Sequence, residues 1–193
     1  MCHALLSDST LYHLLLKFDR DLAAQARVAG CPCGGVLHSS DYARKPRGAP
    51  LGVVGGDLKR RLSLCCAKEG CRSRTTPPSV RFLGRRVYFG AVVVLATAMT
   101  GGITAKRAEK LRELVGVSLR TLRRWRAWWR GAFAESSFWK AARGRFSPPV
   151  ETGALPSSLL ERFSGPDERE RLIRMLAFLG PLTTTSAAAG AGS

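Results

Sequence analysis

The chain has 193 residues, 45% of them hydrophobic, and a formal charge of +17 from 31 basic and 14 acidic side chains. That length fits one ordinary domain or two small ones with a real core; the longest apolar run, Val87 to Met99, is too short to span a bilayer, and the first residues lack the basic and apolar regions of a secretory signal. The charge is uneven, with +15 of the +17 falling in residues 59–130, and such a concentration marks a polyanion as partner, nucleic acid before any membrane surface.

Residues 1–30 are predicted to hold one helix from Thr10 to Ala29, where Leu11, Leu14, Leu15, Phe18 and Leu22 recur at helical spacing and Gly30 stops the run. A second unit, residues 31–83, is organised by cysteines. Five of the six sit in two tight groups, Cys31-Pro-Cys33-Gly34-Gly35 and Cys65-Cys66-Ala67-Lys68-Glu69-Gly70-Cys71. Without an export signal, clustered cysteines point to a metal in a reducing compartment and away from disulfides. Zn2+ takes four thiolate or imidazole ligands in a tetrahedron, which two short cysteine pairs joined by a hairpin can supply. Period-2 alternation in Arg60 to Cys66 puts Leu62, Leu64 and Cys66 on one face. The expected ligands of one structural Zn2+ are therefore Cys31, Cys33, Cys66 and Cys71, with Cys65 the alternative to Cys66 and His38 a more distant candidate. Four protein ligands leave no open position for a substrate. The layout resembles a zinc ribbon, although its first pair is C-x-C and its second has four intervening residues.

Tyr42 to Gly52 is a basic loop rich in Pro and Gly. Beyond the second cysteine group the chain is crowded with arginine and proline; Arg72, Arg74, Arg81, Arg85 and Arg86 are expected to contact phosphates without reading sequence. The next unit, residues 84–146, begins with a buried helix over Val87 to Met99, broken at Thr100-Gly101-Gly102. A shorter helix runs from Thr104 to Val115, Gly116 supplies a tight turn, and Ser118 caps a further helix. On that last helix Leu122, Trp125 and Trp129 fall on one side, with Leu119 near its edge. Arg120, Arg123, Arg124, Ala127 and Arg130 fall opposite, so one side seats on a core while the other offers guanidinium forks. The expected base contacts are Arg120, Thr121, Arg123 and Arg124. Ser118, Lys106, Arg107 and Arg130 join the expected phosphate contacts. The segment Leu114 to Trp125 resembles the helix-turn-helix units of transposases and bacterial DNA-binding regulators, departing from many of them in having Arg112 where they keep a small residue.

Past Arg130 the charge is balanced. Residues 147–182 read as a linker and two short amphipathic helices, Leu159 to Phe163 and Arg169 to Phe178; residues 183–193 are a small-residue tail expected to be disordered. The predicted fold is mainly α, with a small β zinc ribbon and a trihelical helix-turn-helix module. Over residues 31–130 the order of parts resembles the zinc-ribbon plus helix-turn-helix proteins of bacterial insertion sequences. The resemblance implies sequence-specific binding of double-stranded DNA at element ends or on the element's own operon. It also implies a cytoplasmic, nucleoid-associated protein, with a transposase or recombinase as second partner and a dimer if the target is palindromic. Catalysis is not expected. A three-carboxylate transposase needs acidic residues on an RNase-H-like core, for which the chain has no room, and neither a Gly-rich phosphate loop nor a Ser/His/Asp set is present. Two rival readings are a non-enzymatic adaptor for a recombinase or polymerase, and an RNA-binding ribbon that stacks bases on aromatics such as Trp128.

Overall fold

The computed structural model describes residues 2–44, 48, 55–83, 88–98 and 104–184. A short helix, α1 (Cys2–Leu6), leads into α2 (Ser9–Ala29). Asp8 starts α2 by accepting the Thr10 backbone N–H at 2.9 Å, which satisfies one of the donors a helix start leaves free. The leucine stripe buries Leu11 and Leu15 and half-buries Leu14 and Leu22. Phe18 stays exposed.

Three antiparallel strands follow in the spatial order β1 (Leu37–Ala43), β2 (Arg60–Cys66), β3 (Arg74–Thr75), with Leu37 opposite Cys66 and Ala43 opposite Arg60. Leu64 and Cys66 are buried as the alternation predicts, yet Arg61 and Ser63 on the other face are buried too. The central strand is covered on both sides: α2 packs along the sheet, and Arg61 donates to the carbonyls of Pro77 and Thr183. Burial holds the Arg61 guanidinium below its usual pKa, outweighing the opposing charge of Asp19.

A two-residue pair, β4 (Phe82–Leu83) with β5 (Tyr88–Phe89), sits where the buried helix was expected to begin. The Phe82 and Phe89 rings stack at 5.4 Å across it. The helix itself, α3 (Gly90–Thr97), is shorter than its apolar run, and all eight of its residues are buried. A helix apolar on every side needs neighbours all round, and α1, α5 and α8 provide them. Next come α4 (Ala105–Val115), α5 (Leu119–Trp128), a π-helical turn (Trp129–Phe133), α6 (Ser137–Ala142), α7 (Ser157–Leu160) and α8 (Glu168–Leu179). The C-terminal helices dock on the rest. Leu172, Ile173, Met175, Leu176 and Leu179 of α8 are buried, and the rings of Trp129, Phe133, Trp139, Phe146 and Phe178 touch in sequence at 4.8 to 6.1 Å. One apolar cluster runs through the chain from Leu6 to Leu179, while Cys31, Leu37, Leu64 and Cys66 form a small second one. The architecture is mainly helical with a small antiparallel sheet.

Two expectations are corrected by this packing. Arg81 cannot lie on a phosphate, because its side chain is fully buried and every guanidinium nitrogen is engaged. Its Nε donates to Asp19 Oδ2 at 2.8 Å, Nη1 to the carbonyls of Asp57 and Leu58, and Nη2 to that of Arg60. Asp19 also accepts from the Ser79 hydroxyl and the Val80 N–H. Thr183 does not begin a free tail. It closes a 3-10 turn (Gly180–Thr183), and its hydroxyl accepts the Ser79 N–H at 2.8 Å. The rest of the tail from residue 185, and Arg85 and Arg86 among the expected phosphate contacts, lie outside the described residues, as does most of the basic loop after Arg44.

Candidate metal centre and basic helix face

The four cysteines come from three places that the sheet gathers. Cys31 and Cys33 follow directly on the end of α2; Cys66 ends β2; Cys71 lies on the turn leading to β3. Register sets the meeting point, since Leu37 opposite Cys66 brings the first cysteine pair alongside the second. Their sulfurs all lie within 4.8 Å of one another. The Cys31–Cys71 separation is 3.8 Å and the Cys33–Cys66 separation 3.5 Å. A tetrahedron of sulfurs at the ordinary Zn–S bond length has edges of about 3.8 Å, close to these two separations, and the four could bind one metal ion. Gly35 makes the approach possible: a Cβ there would sit 2.5 Å from Cys66 Sγ and 3.3 Å from Cys33 Sγ.

The electrostatics of the cluster favour a cation. Four thiolates this close would repel, so in the thiol form the neighbours divide their protons unequally. The Gly35 backbone N–H, with help from the other three thiols, brings Cys33 down to about 6. At Cys66 the Lys68 N–H acts to lower the pKa, but burial and the neighbouring thiols outweigh it and push the group up to about 12. A bound divalent ion removes the conflict by accepting all four as thiolates. Cys65 is outside this set: it points to the other face of β2, with its sulfur toward the carbonyls of Cys66 and Arg72. His38, opposite Cys65 in the register, is exposed and also outside it.

The second constellation is built on α4 and α5. Thr104 caps α4 through the Arg107 N–H, and Gly116 closes it in the left-handed conformation at φ 64° and ψ 23°. Val117 is buried beneath the turn, and Ser118 caps α5 by accepting the Thr121 N–H at 3.3 Å. That hydroxyl is thus already engaged, and it also lies 3.2 Å from Thr121 Oγ1. The expected division is present along α5 and the π-helical turn that continues it. Leu122, Trp125 and Trp129 are buried, Leu119 is half-buried, and Arg120, Arg123, Arg124, Ala127 and Arg130 are exposed. Trp129 is fixed further by its indole N–H, which donates to Thr97 Oγ1 at 2.9 Å. Lys106 and Arg107 are exposed on the first turn of α4, and Arg72 and Arg74 are exposed beside the cysteine cluster. Arg72 has a positive φ of 46°, on the turn that carries Cys71. Trp128 is half-buried and packed edge-on against Trp129 at 4.7 Å.

Two participants escaped the sequence reading. Tyr88 accepts a hydrogen bond from Arg124 Nη2 at 2.6 Å, and nothing local in the sequence links residues that far apart. Asp19 did leave a sign, because it falls four residues after Leu15 and three before Leu22, within the apolar stripe of α2. No protein-family model, curated protein or solved structure matches the chain. Among the described residues no helix is long and apolar enough to cross a membrane.

Proposed function

We propose that this chain is a sequence-specific double-stranded DNA-binding protein. In this reading α4, the Gly116–Ser118 turn and α5 act as a helix-turn-helix, with α5 as the groove-facing helix. The cysteine module is a ribbon holding one structural Zn2+, since a closed four-sulfur set suits that ion and leaves no position for catalysis. The observation that carries the reading is the outward side of α5 and of the π-helical turn that continues it. It presents Arg120, Arg123, Arg124 and Arg130 around the small Ala127 while Leu122, Trp125 and Trp129 anchor the opposite side. An Arg-rich face on a rigidly anchored helix, with a small residue permitting close approach, suits both phosphates and base edges. Association with a mobile element, through end recognition or regulation of transposition, rests on the sequence resemblance. A transposase or recombinase is the second partner it implies, and the role is binding, not chemistry.

Gel shifts across a salt series test this reading with zinc-loaded protein and three probes: random-sequence duplex enriched by selection, single-stranded DNA, and RNA. The expected result is duplex preference, with log K falling linearly against log salt by about 0.9 per phosphate contacted. Arg123→Ala and Arg124→Ala are expected to relax preference at a base by about 1–3 kcal/mol where the contact is bidentate. Preference for RNA or single strands, or binding to none of the probes, would replace the reading with the RNA-binding or the adaptor role. Enrichment of a palindrome would make the protein a dimer on its site.

A further inference from the structure

The side chains around Arg124 deepen the DNA-binding reading, and the role they suggest depends on that reading. Of the four outward arginines on α5 and the π-helical turn that continues it, Arg124 is, among the described residues, the one hydrogen-bonded to another side chain. Its Nη2 donates to Tyr88 Oη at 2.6 Å, and its guanidinium carbon lies 5.9 Å from the centre of the Tyr88 ring. Tyr88 is itself held in the core. It is 8% exposed, sits on β5 opposite Leu83, and stands edge-on to the Trp125 ring at 4.9 Å. The contact therefore runs from a buried strand to an exposed guanidinium, which makes it different from a surface ion pair.

A guanidinium has five N–H donors in a rigid fork, and Tyr88 takes one of them, so a two-donor edge stays open to solvent. An arginine with no such support must give up its rotamer freedom when it docks. One already tethered has given up part of it, and a larger share of its contact energy reaches the complex. We propose that Tyr88 is a positioning residue that presets Arg124 for bidentate recognition of a base edge. Arg124 then carries more of the sequence selectivity than Arg120 or Arg123.

The test is Tyr88→Phe, which keeps the ring packed on Trp125 and removes the hydroxyl. Binding is measured to a duplex enriched by in vitro selection and to a shuffled duplex of the same composition. The expected result is about a 3- to 10-fold loss on the enriched duplex, with no change on the shuffled one. The salt slope should also be unchanged, because no charge is removed. In an Arg124→Lys background the same substitution should add nothing. A loss shared equally by both duplexes, no loss on either, or an undiminished loss in the Arg124→Lys background would overturn the proposal. Should Tyr88→Phe fail to fold, Arg124→Lys is compared with Arg123→Lys, both exposed and both retaining charge. Greater loss of selectivity in Arg124→Lys supports the proposal, and equal losses overturn it. Wild-type protein that binds no duplex, or binds the two duplexes equally, defeats the DNA-binding reading itself and the Tyr88 role with it.

Discussion

Asp19 and Arg81 form an ion pair 2.8 Å long with no exposed side-chain surface on either partner, joining the middle of α2 to the chain that leaves the sheet. Each charge is fully answered. The carboxylate accepts three donors, and the guanidinium holds three carbonyls besides it. Removing one partner leaves the other buried and uncompensated, which costs about 3–5 kcal/mol. Arg81→Ala and Asp19→Ala should therefore lower the denaturant midpoint sharply, while Arg74→Ala, on the exposed edge, should stay within about 0.5 kcal/mol of the wild type. An Arg81→Ala protein as stable as its parent would show that the joint carries no weight.

The cysteine cluster separates two neighbours that the sequence left as alternatives. Cys66→Ser and Cys33→Ser should lose the bound metal, measured as moles of zinc per mole of chain, from about one to near zero. Cys65→Ser should keep it. Gly35→Ala is a sharper probe because every ligand remains, yet the new methyl would press within 2.5 Å of Cys66 Sγ. The expected outcome is weakened metal affinity in a chelator competition, and unaltered affinity would mean the loop can shift away.

Gly116 holds a left-handed backbone where α4 gives way to α5. An alanine there costs about 1–2 kcal/mol. Gly116→Ala should lower the melting temperature by a corresponding amount and weaken duplex binding beyond that, because the angle at which α5 leaves α4 is set by this residue. Duplex binding unchanged in a folded Gly116→Ala protein would detach the turn from recognition.

Burial first, and the nearby Asp8 charge second, raise the Tyr12 phenol well above its ordinary value of about 10. The group stays protonated in the folded chain, whereas the unfolded chain releases its proton as the pH passes about 10. Its contribution to stability is full below that pH and falls as pH rises above it. Tyr12→Phe should flatten the alkaline limb of the stability curve. It would also remove the hydrogen bond to the Leu6 carbonyl, seen as a small loss at neutral pH. An alkaline limb identical in the two proteins would assign it to other groups.

What could be read from the sequence was local and periodic. The leucines of α2, the Gly-flanked cysteine pairs and the split between Leu122, Trp125 and Trp129 and the arginines of α5 all recur at spacings that a helix or strand imposes. The choice of Cys66 over Cys65 also came from strand period, since adjacent residues on β2 point to opposite faces. What could not be read was which charges go inside. Arg81 resembles Arg74 in composition and neighbourhood, and only folding brings it to Asp19, 62 positions earlier. The two-residue strands β4 and β5 are too short to leave a period, so the apolar run that contains Tyr88 and Phe89 gave no hint that these two would be strand. The docking of the C-terminal helices was equally hidden, because Phe146 and Phe178 find their partners through distant ring contacts.

The chain's four tryptophans, Trp125, Trp128, Trp129 and Trp139, all belong to the helical part, and none lies in the cysteine module. Tryptophan fluorescence will therefore follow the aromatic interior around Phe133 while staying blind to the cysteine module. Charge-transfer absorption from cobalt added to the sulfur cluster would follow the cysteine module alone. Two optical signals from one cuvette thus report on separate regions, and whether they change together under heat or chelator measures how cooperatively the two halves melt.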